Sequence, residues 1–183
     1  MQYPYFYRHD YPSESFVSLN VALWTEQFGA WKHFSQVAEA MALTQLSLMG
    51  CKNLNSLKRI VKLKGLQWLV LSDTGVTNLS PLAACSALEE LWLDNTGVTD
   101  VSPLAACSAL ESLYLNNTGV MDVNLLAACS TLREIHLNNT GVTDVSLLAA
   151  SSALEWLNLS NTGVTDVSML QREGLTIIGV KEE

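Results

Sequence analysis

The stretch that decides the fold is LWLDNTGVTDVSPLAACSALES, residues 91–112. The following 22 residues begin LYLNNTGVMDV, and the 22 after those begin IHLNNTGVTDV. Five near-identical units and one degenerate copy each open on an apolar residue. These residues are Leu46 for the degenerate copy and Leu69, Leu91, Leu113, Ile135 and Leu157 for the others. A fixed internal period of this length predicts a solenoid, in which each unit buries its apolar face by stacking on its neighbours.

Each unit is predicted to form a strand, a turn and a short segment that leads back to the next strand. Leu91 and Leu93 alternate with polar or aromatic residues, which is the pattern of a half-buried strand. Gly97 is expected to take a positive φ where the chain leaves the strand. Ser102 and Pro103 are expected to cap and begin a single helical or 3₁₀ turn over LAACSAL. Stacked units then place their strands side by side in a parallel sheet.

The pattern LxxLxLxxTxV, carried by Leu110, Leu113, Leu115, Thr118 and Val120, resembles the leucine-rich repeat LxxLxLxxNxI. The repeat length and the DVSPL segment are similar to the short class in internalins and phosphatase regulatory subunits. The wording TGVTDVSPLAACSAL is similar to trypanosomatid leucine-rich arrays. One departure is that Thr stands where the family carries its ladder Asn. The resemblance implies an α/β solenoid, a horseshoe with a parallel concave sheet of seven or eight strands and short convex turns.

The chain divides into three parts. Residues 1–12 form a tail rich in Tyr and Phe. Residues 13–42 are interpreted as an N-terminal cap of a strand and a helix, because an open solenoid end exposes core. Residues 43–183 are the repeats, and we expect no cap at their C-terminal end. We also expect no signal peptide, since the N-terminus has neither a basic nor an aliphatic region.

Composition restricts the function. A net charge of −8 argues against nucleic acid or an anionic membrane as the partner. No apolar run approaches the roughly 18 residues of a membrane span. The three histidines are scattered and no nucleotide, zinc-protease or hydrolase motif occurs, so we predict a non-enzyme without metal or cofactor. Cys85, Cys107 and Cys129 are interpreted as buried thiols, which favours the cytoplasm, although N-x-S/T sequons leave a secreted location open.

The recurring NTGVTD has two readings. Its carboxylates would stack as a like-charge ladder convenient for calcium: Asp100, Asp122, Asp144 and Asp166. Alternatively, Thr and Asp side chains accept backbone N–H bonds within a turn. Asn78 stands in the Asp place of one copy, and an amide makes the turn but is a poor calcium ligand. We therefore favour the structural reading.

The strand positions that vary between copies carry the functional prediction. Side chains alternate along a strand, so residues flanking the buried leucines share the concave face. Aromatic residues aligned there are typical of binding surfaces. The predicted partner-binding residues are Trp68, Trp92, Tyr114, His136, Trp156, Glu90, Asp94, Glu134, Asn116 and Asn138. The same alignment puts Gly179 beside Asn158 in the last strand.

We accordingly expect a non-catalytic module that binds a protein or peptide with apolar and basic residues. An alternative is self-assembly of copies through the C-terminal edge strand near Ile178 and Val180. A third reading is the substrate-recognition arm of a larger ligase or phosphatase complex, as the resemblance suggests. The aromatic residues would instead be core if they merely fill the concavity.

Overall fold

The computed structural model describes residues 43–180, so the predicted tail and N-terminal cap lie outside the described residues. Seven three-residue strands alternate with six 3₁₀ turns. The strands are β1 Gln45–Ser47, β2 Trp68–Val70, β3 Glu90–Trp92, β4 Ser112–Tyr114, β5 Glu134–His136, β6 Trp156–Asn158 and β7 Thr176–Ile178. The turns are η1 Ile60–Lys62, η2 Ser80–Ala84, η3 Ser102–Ala106, η4 Asn124–Ala128, η5 Ser146–Ala150 and η6 Ser168–Leu170.

The strands form one parallel sheet in chain order, β1 to β7. Equivalent residues of successive units pair directly, so Leu91 lies between Leu69 and Leu113. The 3₁₀ turns stack in the same order behind the sheet. The predicted solenoid with a parallel sheet and 3₁₀ returns is confirmed for these residues.

The core lies between the sheet and the turns. Leu91 enters it from β3, Leu93 from the position directly after that strand, and Leu104 from the turn of the same unit, and none of them is exposed. Burying one such side chain contributes roughly 1.5–3 kcal/mol. Because each leucine packs on its equivalents above and below, the core runs unbroken from Leu46 to Leu170.

The bend after each strand differs from the prediction that glycine takes the positive φ. That conformation belongs to the residue two places before the glycine, at φ between 57 and 60°: Asp73, Asn95, Asn117, Asn139 and Asn161. Asn and Asp tolerate the left-handed region because their short polar side chains bond locally. The Asn117 amide donates to Asn95 Oδ1 at 3.0 Å and Asn139 donates to Asn117 Oδ1 at 2.8 Å. An exposed amide ladder thus links the bends.

The glycine instead lies where successive units approach each other closely. The Gly119 N–H donates to the Val98 carbonyl at 3.0 Å. A Cβ on Gly119 would lie 2.9 Å from Cγ2 of Thr99 in the preceding unit. A residue without a side chain allows this approach without any shift of the neighbouring Thr99 methyl group.

The buried threonine also acts differently from the prediction. Thr118 Oγ1 donates to the Leu115 carbonyl at 2.6 Å, and the equivalent bond recurs at Thr96 and Thr140. The predicted role was acceptance of a backbone N–H. A buried hydroxyl that satisfies a strand-end carbonyl avoids a desolvation cost of about 1–3 kcal/mol. Thr therefore closes the turn locally, where the resemblance leads us to expect Asn.

The aspartate of NTGVTD lies two residues before each turn from η3 to η6 and accepts the N–H of the first residue of that turn. Asp144 Oδ1 accepts the Ser146 N–H at 2.8 Å, and Asn78 Oδ1 accepts the Ser80 N–H at the same distance. Ser80 is the first residue of η2 and the cap position before it is Leu79, which makes no side-chain cap bond, so the predicted serine cap was wrong. No three His, Cys, Asp or Glu side chains gather as metal ligands within residues 43–180. These aspartates are the turn residues that the structural reading expected.

These carboxylates predict an acid-sensitive fold. The Ser102 side chain and N–H lower the pKa of Asp100, and the serine N–H and side chain do so for Asp144 and Asp166. A carboxyl with a lowered pKa stabilises the fold above its unfolded-state value and loses this contribution as pH falls. We expect urea midpoints of the D100N/D144N/D166N variant to fall less than those of the wild type from about pH 5 to about pH 2. Parallel curves would contradict this, and Asn78 shows that the amide is compatible with the turn.

The last unit is shorter than the others, and its predicted register was wrong by one place. Ile177 lies beside Leu157 and Ile178 beside Asn158, whereas Gly179 had been expected there. Arg172 closes the shortened return, because its Nη2 donates to the Leu154 carbonyl at 2.9 Å.

The three regularly spaced cysteines are core residues. Cys85, Cys107 and Cys129 are fully buried thiols without disulfides. Cys107 and Cys129 each lie with Sγ 3.4 Å from a carbonyl of the preceding unit. Burial and the two neighbouring thiols raise the pKa of Cys107 to about 12, so it stays protonated at neutral pH. This is the environment of an inert structural thiol.

Candidate functional site: an aromatic stack on the sheet

The first and third residues of each strand point away from the core, and together they form what we call the variable face. In β3, β4 and β5 the middle residue is buried and its two neighbours are half-buried. Seven of the ten predicted partner-binding residues are first or third residues of strands, and Asp94, Asn116 and Asn138 each lie two residues after a strand ends. The buried residues behind the face are nearly the same in every unit, whereas the residues at these positions change from unit to unit.

Three rings stack along the centre of the variable face. The centroids of Trp92 and Tyr114 are 3.9 Å apart with the rings inclined by 15°. The centroids of Tyr114 and His136 are 4.6 Å apart at 20°. Strand spacing in a sheet is about 4.8 Å, so parallel in-register pairing brings equivalent rings into contact. We call Trp92, Tyr114 and His136 the aromatic stack.

Two glutamates hold the ends of the aromatic stack. The Trp92 indole N–H donates to Glu90 Oε1 at 2.5 Å. His136 Nε2 lies 2.6 Å from Glu134 Oε1. Each pair spans two residues of one strand, so both side chains share the face and reach each other. These bonds fix the orientation of the outer rings and leave a negatively charged group beside each of them.

A polar row borders the stack at the carboxyl ends of the strands. Asp94 Oδ1 accepts the Asn116 N–H at 2.8 Å, and Asn116 Oδ1 accepts the Asn138 N–H at 3.2 Å. Burial raises the pKa of Asp94, while the Asn116 hydrogen bonds and the charge of His136 oppose that rise. Part of this row thus holds the backbone together, and Asp94 adds a third carboxyl group to the site.

Trp68 and Trp156 lie on the same face but outside the stack. The register pairs Trp68 with Glu90, and Trp156 with Glu134. Both tryptophans are half-buried, and the Trp156 indole nitrogen is buried without a hydrogen-bond partner in the described residues. The structure therefore brings three of the five predicted aromatics together and places the other two as flanks. The Glu90–Trp92 and Glu134–His136 bonds were missed, although the spacing of two residues on a strand could have indicated them.

The matching family is described as Leucine Rich repeats (2 copies), and it matches residues 64–106. The chain is a leucine-rich repeat protein. Leucine-rich repeat proteins bind protein partners and are typically non-catalytic. In the described residues, no helix has the length and apolar character to cross a membrane.

Solved structures agree with this leucine-rich repeat assignment. Internalin C2 of Listeria monocytogenes is similar at 31% identity, with a TM-score of 0.69 over 74% of this chain. Two further structures share the fold and also match 74% of this chain. One is an internalin (inlF) of the same species, at 23% identity and a TM-score of 0.58. The other is a leucine-rich repeat protein of Leptospira interrogans, at 21% identity and a TM-score of 0.67. The chain spans 62%, 46% and 37% of these three proteins, respectively. Comparison with curated proteins gives no significant match.

Proposed function

We propose that this leucine-rich repeat protein is a non-catalytic module that binds a partner protein or peptide on the variable face. The aromatic stack is the observation that carries the proposal. Trp and Tyr are the residues that most often dominate binding energy, since they bury a large area at a small entropic cost. Here Trp92 and Tyr114 are already ordered against each other. Binding therefore needs little further ordering of these side chains.

The charge of the face defines the partner. Glu90, Asp94 and Glu134 surround the stack, and the chain carries a net charge of −8. A Lys or Arg of the partner would meet a carboxylate at either end of the stack and the outer ring face of Trp92 or His136, because the inner ring faces cover one another. An Arg guanidinium fits best, because it pairs with carboxylates and stacks on aromatic rings. The partner is accordingly an extended or loop segment with apolar and basic residues.

Selection from a random displayed-peptide library tests this proposal. The full chain is the bait, and the enriched peptides are synthesised and measured by calorimetry. We expect the peptides to carry Arg or Lys beside an apolar residue. The W92A/Y114A variant should bind them about 30-fold more weakly, because truncating a hot-spot residue costs about 2 kcal/mol or more.

The matched control is T99A/T143A, which truncates two exposed threonines in the bends and leaves the variable face unchanged. It should bind like the wild type. If the enriched peptides bind W92A/Y114A as tightly as the wild type, the aromatic stack is not the binding site. Circular dichroism and melting of both variants establish that any loss reflects binding and not unfolding.

A further inference from the structure

A second surface lies on the side of the 3₁₀ turns, away from the variable face. Equivalent positions of the six stacked turns hold what we call the turn row: Arg59, Pro81, Pro103, Leu125, Leu147 and Met169. The last three are large apolar side chains exposed to 57%, 56% and 71%, respectively. Aligned apolar side chains of this size on a surface indicate an interaction site. Nothing in the core requires them, because the next residue of each turn makes the buried contact.

The first unit gives the turn row a basic end. Five of the 10 Lys and Arg residues of the sequence are Lys52, Lys58, Arg59, Lys62 and Lys64. No Asp or Glu occurs from residue 40 to residue 72, and all five basic side chains are exposed. Lys58 stands where the other turns have Ser or Asn. One end of an otherwise acidic solenoid is therefore cationic.

The opposite end of the turn row is acidic. Asp122, Asp144 and Asp166 are exposed and lie three residues before Leu125, Leu147 and Met169, respectively. Their capping bonds hold them at the start of each turn. The two arginines from residue 65 to residue 180 are engaged, Arg133 by Glu155 and Arg172 by backbone carbonyls. The apolar residues of the row therefore have a negative border.

From these features we propose that the turn row binds the turn row of a second copy, side by side and antiparallel. Strands are about 4.8 Å apart, so Arg59 and Met169 are separated by about 24 Å along the row. In the antiparallel arrangement, Lys58 and Arg59 of each copy meet Asp166 and Met169 of the other. Pro81 and Pro103 meet Leu147 and Leu125. The contact is two-fold symmetric, so each of these interactions forms twice and the assembly closes as a dimer.

Charge complementarity selects this occupant and this orientation. Two copies with a net charge of −8 repel each other in most arrangements. A parallel pairing of turn rows would place the cationic end of one copy against the cationic end of the other. Like charges in contact are strongly unfavourable. The antiparallel pairing brings each cationic end onto an acidic border and covers the exposed Leu and Met side chains as well.

A charge exchange tests the proposal on the full chain. One variant is K58E/R59E, which reverses the basic end. The other is M169K, which places a cation opposite Lys58 and Arg59 of the second copy, and Arg59 shows that this position of the row accepts a basic residue. We expect the wild type to dimerise in sedimentation, more weakly as salt rises. Each variant alone should dimerise at least about tenfold more weakly. An equimolar mixture should regain a 1:1 dimer, because the lysine introduced at position 169 of one copy faces the glutamates introduced at positions 58 and 59 of the other, while the second contact keeps its wild-type residues.

Three outcomes would overturn the inference. The first is a wild type that stays monomeric at rising concentration. The second is a mixture no more associated than its components. The third is growth beyond a dimer, which would indicate addition at the β7 edge and not at the turn row. The W92A/Y114A variant separates this inference from the proposed function. It should dimerise like the wild type, and loss of its dimer would place the second copy on the variable face.

Discussion

Replacing Leu113 by Ala should lower the free energy of unfolding by about 2–5 kcal/mol. Leu113 is the middle residue of β4, is fully buried, and pairs with Leu91 and Ile135 in the strands on either side. Removing its three outer carbons leaves a cavity in the middle of the solenoid. Because each unit is stable only through its neighbours, the loss affects the units on both sides.

Tyr114 is the next residue and supplies the matched comparison. It lies on the variable face, and its ring stacks on Trp92 and His136. Tyr114→Ala should cost less, about 1–3 kcal/mol, because it removes two stacked pairs worth about 0.5–1.5 kcal/mol each from a half-buried position. Urea unfolding followed by circular dichroism measures both variants. If Tyr114→Ala were as destabilising as Leu113→Ala, the aromatic rings would be core residues and the proposed binding surface would lose its basis.

The sequence predicts the repeat architecture well, because the same pattern of apolar residues recurs in every unit. Leu91 and Leu93 alternate, Leu104 returns from the turn, and the fixed spacing forces equivalents to stack. Local turn chemistry is harder to predict. Asn117 and Gly119 both tolerate a positive φ, and only the path of the chain shows that Asn117 adopts it. Similarly, Asp100 and Ser102 are both residue types that cap helical turns. The hydrogen bond from the Ser102 N–H to Asp100 Oδ1 shows that Asp100 is the cap.

The site could be predicted as a set of residues but not as a geometry. Alternation along the strands places Trp92, Tyr114 and His136 on one face, and their contact distances follow only from the register. Glu90 was predicted to attract a partner, yet it also binds the Trp92 indole. The last strand shows why its register could not be predicted from the sequence. Ile177 and Ile178 are both apolar, so the pattern does not say which of them faces the core once the unit is shortened.

The glycines that recur in the bends are not equivalent, and Gly75→Ala should be the damaging substitution. A Cβ on Gly75 would lie 2.8 Å from the Lys52 carbonyl oxygen and 3.1 Å from that of Leu54. Backbone oxygens held by the first unit cannot rotate away as a side chain can. Forcing an atom into such a space typically costs about 1–3 kcal/mol. The strain falls between the first unit and the second, next to the basic end of the turn row.

Gly97→Ala is the matched control, because the same motif position meets different atoms there. A Cβ on Gly97 would lie 2.9 Å from Cγ2 of Thr77, the end of an exposed side chain. That methyl group can change rotamer, and Ala also restricts the unfolded chain, which favours folding by about 0.4–1 kcal/mol. Gly97→Ala should therefore be nearly neutral in urea unfolding while Gly75→Ala is not. Equal effects would mean that the irregular first unit yields as easily as the regular ones, and that its cationic end is not held in a fixed position against the rest of the solenoid.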